Sequence, residues 1–370
     1  MTLLAAHLND PGILFTDGER ILCREPGFVL LEDEGLTTGR EAWASASLEP
    51  RRIQNRYWSD LRAEPLMDAR FRHLTAADLV SKQLEELWNR VSKPGDRLAL
   101  AVPGYMGNDN LGLLLGIAMD LDIPVVAMVD AAVAATRRHY VNAVPVHVDL
   151  GLHSAMLTRL SQDGQVQFER GAVVEASGML SLYDIWLRLI AETFVQQSRF
   201  DPLHTAETEQ VLQDNILEWL QIAASQDSVP MNVVYRGISH DAEIESLQLV
   251  SAAEPVYRNI ASNLRALTRG GETPAIQLSD RAARMPGLAE TLKARVGGEI
   301  FLLEPGATAR GLAARCPENR SGSAVTLVRH LPWDQSPVHV EVDHDHEGAR
   351  PTHVLLGNNA TSIDSSMLVL

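Results

Sequence analysis

Residues 98–102, Leu-Ala-Leu-Ala-Val, carry no polar side chain, and neither do residues 124–129, Pro-Val-Val-Ala-Met-Val. A strand that is apolar on both faces belongs inside a sheet covered on both sides. The flanking stretches can supply that cover. Thr75-Ala-Ala-Asp78 opens a predicted helix through 91, with Leu79, Gln83, Leu84, Leu87 and Trp88 at helical spacing. Lys93-Pro-Gly-Asp96 stops it. Further helices are predicted at 111–121 and 131–137. Buried strands alternating with helices predict an α/β fold with a mainly parallel sheet.

The N-terminus reads differently. Apolar runs at 3–8, 12–15, 20–23 and 28–31 predict antiparallel strands, with Thr16-Asp17-Gly18 as a hairpin turn. Further on, strands are predicted at 144–150, 155–160, 166–171, 275–278 and 299–303. Helices are predicted at 182–197, 207–223, 254–267, 287–296 and 307–314. Stretches 229–236 and 243–250 read as strands or short helices. After the polar, turn-rich 317–323, strands at 324–329, 338–342 and 352–356 read as a separate small β element. The strand-like ending Met367-Leu-Val-Leu370 reads as a cut within a strand.

The 370 residues allow two lobes and an appendage. Net charge is −16 and no basic stripe is present, so nucleic acid is not an expected partner. No window is apolar enough for a membrane helix, and no basic-then-apolar leader opens the chain. A cytoplasmic location with no membrane partner is expected. Cys23 and Cys316 lack a CxxC neighbour and are expected to be buried thiols. No P-loop or dinucleotide fingerprint stands in a strand–helix context, and neither Ser154 nor Ser279 has a G-x-S-x-G setting. His339, His344 and His346, with Glu341, Asp343, Asp345 and Glu347, read as a divalent-ion site or as a solvated turn. Tyr57-Trp58, near Arg52 and Arg56, is either core or an exposed recognition patch.

Three motifs in order resemble the superfamily of actin, sugar kinases and heat-shock chaperone ATPases. The first is Leu98-Ala-Leu-Ala-Val-Pro-Gly-Tyr105, a helix holding Gly112 and Gly116, and then Ile123 through Asp130-Ala-Ala-Val-Ala-Ala135. It resembles the chaperone strand ending in Val-Pro-Ala-Tyr, with its helix, strand and Glu-Pro-Thr-Ala turn. The second, Val146-His-Val-Asp149-Leu150-Gly151-Leu-His-Ser154, resembles the second phosphate hairpin, Asp-Leu-Gly-Gly-Gly-Thr. The third, Leu278-Ser279-Asp280-Arg281-Ala-Ala-Arg284-Met-Pro286-Gly287, resembles the adenosine motif, Leu-Ser-Gly-Gly-Ala-Ala-Arg-Ile-Pro-Gly. Gly39-Arg-Glu-Ala42, Glu304-Pro305 and the helix after them also resemble the family pattern.

The resemblance implies a two-lobed actin-like, ribonuclease H-like fold. Lobe I would span 1–145, completed by the helix at 306–316; lobe II would span 146–305. A C-terminal β-rich extension would fill 322–370. It also implies a nucleotide site between the lobes, with Asp149 as magnesium-facing carboxylate and Asp130 and Asp10 as further acidic candidates. Gly151, Ser154, Ser279, Asp280, Arg281 and Arg284 would stand at its cofactor-binding positions.

Such a site needs glycines so that backbone N–H groups can reach phosphate oxygens, and carboxylates to hold the hydrated metal. Here His7 and Asn9 stand where the first hairpin needs Asp and Gly. Leu152 and His153 replace glycines of the second, and Asp280-Arg281 replaces a Gly-Gly pair. Asp149 is then either a residual metal ligand or a strand-end turn residue. Asp280 and Arg281 either pair with neighbours across the cleft or bind a different ligand. The resulting expectation is a non-hydrolysing, chaperone-like scaffold with a protein partner and no cofactor, or only weakly held ATP or ADP with magnesium. The alternative is a genuine Mg-ATP-binding ATPase in which Asp10, Asp130 and Asp149 hold the metal.

Overall fold

Strand Leu3–His7 pairs antiparallel with Ile13–Thr16, which pairs antiparallel with Ile21–Glu25. On its other side, Leu3–His7 runs parallel to Arg97–Val102, and that strand runs parallel to Val125–Asp130. Tight turns suffice for the antiparallel joins, while the parallel joins need crossovers. Helices Ala76–Val91 and Asn108–Asp120 make those crossovers. The second half repeats this order. Val144–Leu150 is flanked by Ser154–Ser161 and then Val166–Glu175, both antiparallel. Its other side carries Pro274–Leu278 and then Glu299–Leu302, both parallel. The protein is therefore a mixed α/β fold with two six-stranded sheets, five strands of each in matching order and the sixth added at opposite ends. The computed structural model describes residues 2–317 and 325–341, and the backbone of strands His353–Leu356 and Asn359–Ser362.

Local chemistry explains the element ends. Thr75 caps helix Ala76–Val91 through a reciprocal box: the Asp78 N–H donates to the Thr75 hydroxyl and the Thr75 N–H to the Asp78 carboxylate. Gln83 sits fully buried on the apolar side of that helix. It is satisfied there, accepting from the Tyr57 hydroxyl at 2.6 Å and the Trp58 indole at 2.7 Å and donating to the Pro26 carbonyl. Tyr57 and Trp58 are thus core residues. Cys23 and Cys316 are free thiols but only half-buried, because each lies near the rim of its apolar cluster.

Two regions depart from the sequence reading. Residues 228–245 form one hairpin, Ser228–Tyr235 with Ile238–Glu245, turned by Arg236 and Gly237, both at positive φ. The following helix starts at Ser246 rather than 254 and runs through Pro255 to Leu267, since Leu249, Ala253 and Val256 already face the core.

The segment after 324 is not wholly separate. Leu327–Val328 adds to the first sheet beside Val125–Asp130, and His330–Leu331 adds to the second beside Val166–Glu175. Val338–His339 pairs with Tyr140–Val141. The physical reason is that each sheet otherwise ends on bare backbone groups, and Leu331 is buried among apolar residues with Leu160 and Val166. The compact units divide at Met1–Val340 and Glu341–Leu370, and the second contains the hairpin of His353–Leu356 with Asn359–Ser362. Asp343, His344, Asp345, His346, Glu347, the linker 318–323 and the ending 367–370 lie outside the described residues. His339 is exposed. Among the described residues no helix is long and apolar enough to cross a membrane.

Candidate functional site

The two sheets meet where their central strands end. The chain leaving Leu3–His7 passes through Asn9 and Asp10, and the Asn9 amide donates to Asp149 Oδ2 at 2.7 Å and to the Leu150 carbonyl at 3.1 Å. Asp149, at the end of Val144–Leu150, is buried. Its Oδ1 accepts from the Leu150 N–H at 2.9 Å.

Arg281 supplies the counter-charge. It lies on the short helix Asp280–Ala283, which Ser279 caps by accepting from the Ala282 N–H. The buried guanidinium donates to Asp149 Oδ2 at 3.1 Å and Oδ1 at 3.4 Å, and also faces His7 Nδ1 and the Gly12 carbonyl. Burial is the largest influence on the Asp149 carboxyl and pushes it up, but Arg281, His7, His147 and the Ser279 hydroxyl together outweigh it and hold the group well below the usual carboxylate range. Burial, reinforced by Arg281, lowers His7 to about 3, so its ring is neutral at physiological pH. Asp280 turns the other way and pairs with Arg24 at 2.7 Å and Arg284 at 3.4 Å. The Asp-Arg replacement of the glycine pair is therefore matched by partners from both halves, Arg24 for Asp280 and Asp149 for Arg281.

The second hairpin is also self-satisfied. The Gly151 N–H donates to the Ser154 carbonyl at 2.8 Å, and the Leu152 N–H to Asp10 Oδ1 at 2.9 Å. The Gly151 and Leu152 carbonyls accept from Met179 and Leu180, at the start of helix Met179–Ser198. Leu152 packs with Phe28, Leu30 and Ala42, and His153 Nε2 lies 3.1 Å from Asn55 Oδ1. These side chains brace one sheet's hairpin against the other half of the molecule.

Asp130 stands apart from this network. It caps helix Ala131–Ala135, its Oδ1 accepting from Ala132 at 2.9 Å and Val133 at 3.2 Å. The structure brings Asp10, Asp149, Gly151 and Arg281 together, with Ser279, Asp280 and Arg284 alongside. Among the described residues, no group of three His, Cys, Asp or Glu side chains is arranged to hold a metal ion. A magnesium triphosphate does not fit this arrangement: Asp149 is committed to a guanidinium and two amide donors, and the Gly151 and Leu152 N–H groups are spent internally.

Sequence reasoning missed Gly178. A Cβ there would stand 2.5 Å from the His153 carbonyl carbon and from the Ser154 nitrogen, so only glycine lets the start of the long helix lie flat on the hairpin. Its signal was a glycine placed between a strand and a helix.

Asp10 gives a direct check on the site. Burial raises its carboxyl from 3.8 to about 6. The folded protein therefore holds a proton that the unfolded chain has released, and this contribution to stability is lost as pH rises through about 6. Asp10→Asn keeps the oxygen that accepts from Leu152 and removes the buried charge. It is expected to stabilise the protein at pH 8 by on the order of 2 kcal/mol and by little at pH 4, as measured by urea unfolding.

No protein-family model and no curated protein matches this chain.

Proposed function

We propose that this is a two-lobed actin-like protein, related to the heat-shock chaperone ATPases, whose nucleotide cleft is degenerate, its metal and phosphate positions taken by its own side chains. It works as a non-hydrolysing scaffold or regulator that binds another protein. Two matching sheets, each with three antiparallel strands and parallel strands added beyond the first, support the fold reading. The order of the three motifs along the chain supports it as well.

The observation that carries the functional reading is the buried Arg281–Asp149 pair. A guanidinium seated on the carboxylate supplies the charge that a metal would otherwise bring. Loss of the metal ligand and the phosphate donors together leaves the fold without the parts that hydrolysis needs.

The experiment compares thermal unfolding with and without millimolar Mg-ATP, together with phosphate release. A ligand at one hundred times its dissociation constant adds about 2.7 kcal/mol to stability. No shift and no turnover are expected. A rise in melting temperature with magnesium-dependent turnover that Asp149→Ala abolishes would instead establish the ATPase reading.

A further inference from the structure

We infer that the cavity beside Arg281 binds a small organic anion with a flat apolar body, an aryl carboxylate or aryl monophosphate, without a metal ion. The cavity measures about 520 Å³, within the range of ordinary small-molecule sites. Its charge is opposite to that of the chain. Four arginines, Arg24, Arg40, Arg281 and Arg284, line it against one carboxylate, Asp214, in a protein of net charge −16.

Arg281 is matched by Asp149, but the other three guanidiniums are under-neutralised. Asp280 serves both Arg24 and Arg284. Arg40 is exposed, and among the described residues its side chain forms no ion pair. Asp214 is engaged by the Gln210 amide at 2.9 Å. A planar guanidinium fork matches a carboxylate or phosphate and also stacks on aryl faces.

The rest of the lining is apolar. Trp43 and Tyr183 stand edge to face with centroids 6.3 Å apart. Leu152, Met179 and Met285 are buried, while Leu217 is half exposed at the rim. An anion with a ring system satisfies both kinds of surface. An inorganic anion would leave the apolar wall wet, and a neutral arene would leave the guanidiniums unmatched. The inference stands on the cavity and does not depend on the scaffold reading.

The test is isothermal titration calorimetry of the full chain with 1-naphthyl phosphate, 1-naphthoate and 1-naphthol, with and without EDTA. At least one of the anions is expected to bind one-to-one, unaffected by EDTA, with 1-naphthol at least about tenfold weaker; which anion binds identifies the head group. Arg40→Met should weaken the anion about tenfold without lowering the melting temperature, because Arg40 is exposed and forms no ion pair among the described residues. Leu217→Trp, which fills the rim, should abolish binding. The proposal fails if neither anion binds saturably, if 1-naphthol binds as tightly as the anions, or if both variants bind like the parent. Magnesium-dependent ATP turnover would defeat the scaffold reading alone, since naphthyl binding is scored separately.

Discussion

Replacing Arg281 with Met is expected to destabilise the protein by about 3–5 kcal/mol, because it leaves the Asp149 carboxylate buried without its counter-charge. The deficit should be largest near pH 8 and shrink as pH falls. Without the guanidinium, burial raises the Asp149 carboxyl, and protonation then relieves the cost. The double variant Asp149→Asn with Arg281→Met should recover most of the loss, since swapping both members of a buried pair for neutral groups is often close to neutral. Urea unfolding of the four proteins of this cycle at pH 8 and pH 5.5 measures both effects. A loss below about 1 kcal/mol that does not change with pH would mean that the pair is solvated and that Arg281 does not take the metal position.

The second large effect is expected away from the cleft, at Gly311. Helix Ala307–Ala314 crosses helix Ala131–Ala135 so closely that a Cβ at Gly311 would stand 2.1 Å from the Ala134 carbonyl oxygen. The same carbonyl accepts from the Arg315 guanidinium at 2.6 Å, which also reaches the carbonyls of Thr136 at 2.9 Å and Pro332 at 3.0 Å. Arg315 thus covers the exposed carbonyl end of the short helix. Burial lowers Arg315 to about 10, so it stays charged at neutral pH. Gly311→Ala must push the helices apart and pull these bonds out of range. A loss of about 3 kcal/mol or more is expected, at the upper end of overpacking costs, with the helix content of the folded state unchanged. Circular dichroism during urea unfolding reads both quantities. A loss under about 1 kcal/mol would show that the crossing can relax.

What the sequence made legible follows from the range of the forces involved. Thr75 with Asp78, or the apolar run at 98–102, announces its element through neighbours a few residues away. The α/β class was readable from such local signals. Arg281 was readable as a bulky group in a glycine position, but its partner was not, because Asp149 lies far off in sequence. The Gly178 and Gly311 contacts were invisible for the same reason: each is a close approach between segments that only the fold brings together. The helix predicted at 254–267 is too short, starting one residue before Pro255. A proline usually marks a helix boundary, yet here the burial of Leu249 and Ala253 carries the helix through it. The 324–340 segment was assigned to an extension because the polar, turn-rich 317–323 precedes it, and nothing local says which sheet edge each strand will join.

That segment has a consequence for solubility. Val125–Asp130 and Val166–Glu175 would otherwise be outermost strands, each offering a row of unused N–H and C=O groups to any passing chain. Residues 327–331 cover part of both rows within one short stretch. One short stretch of chain therefore shields an edge of each sheet, and its loss would bare both edges at once.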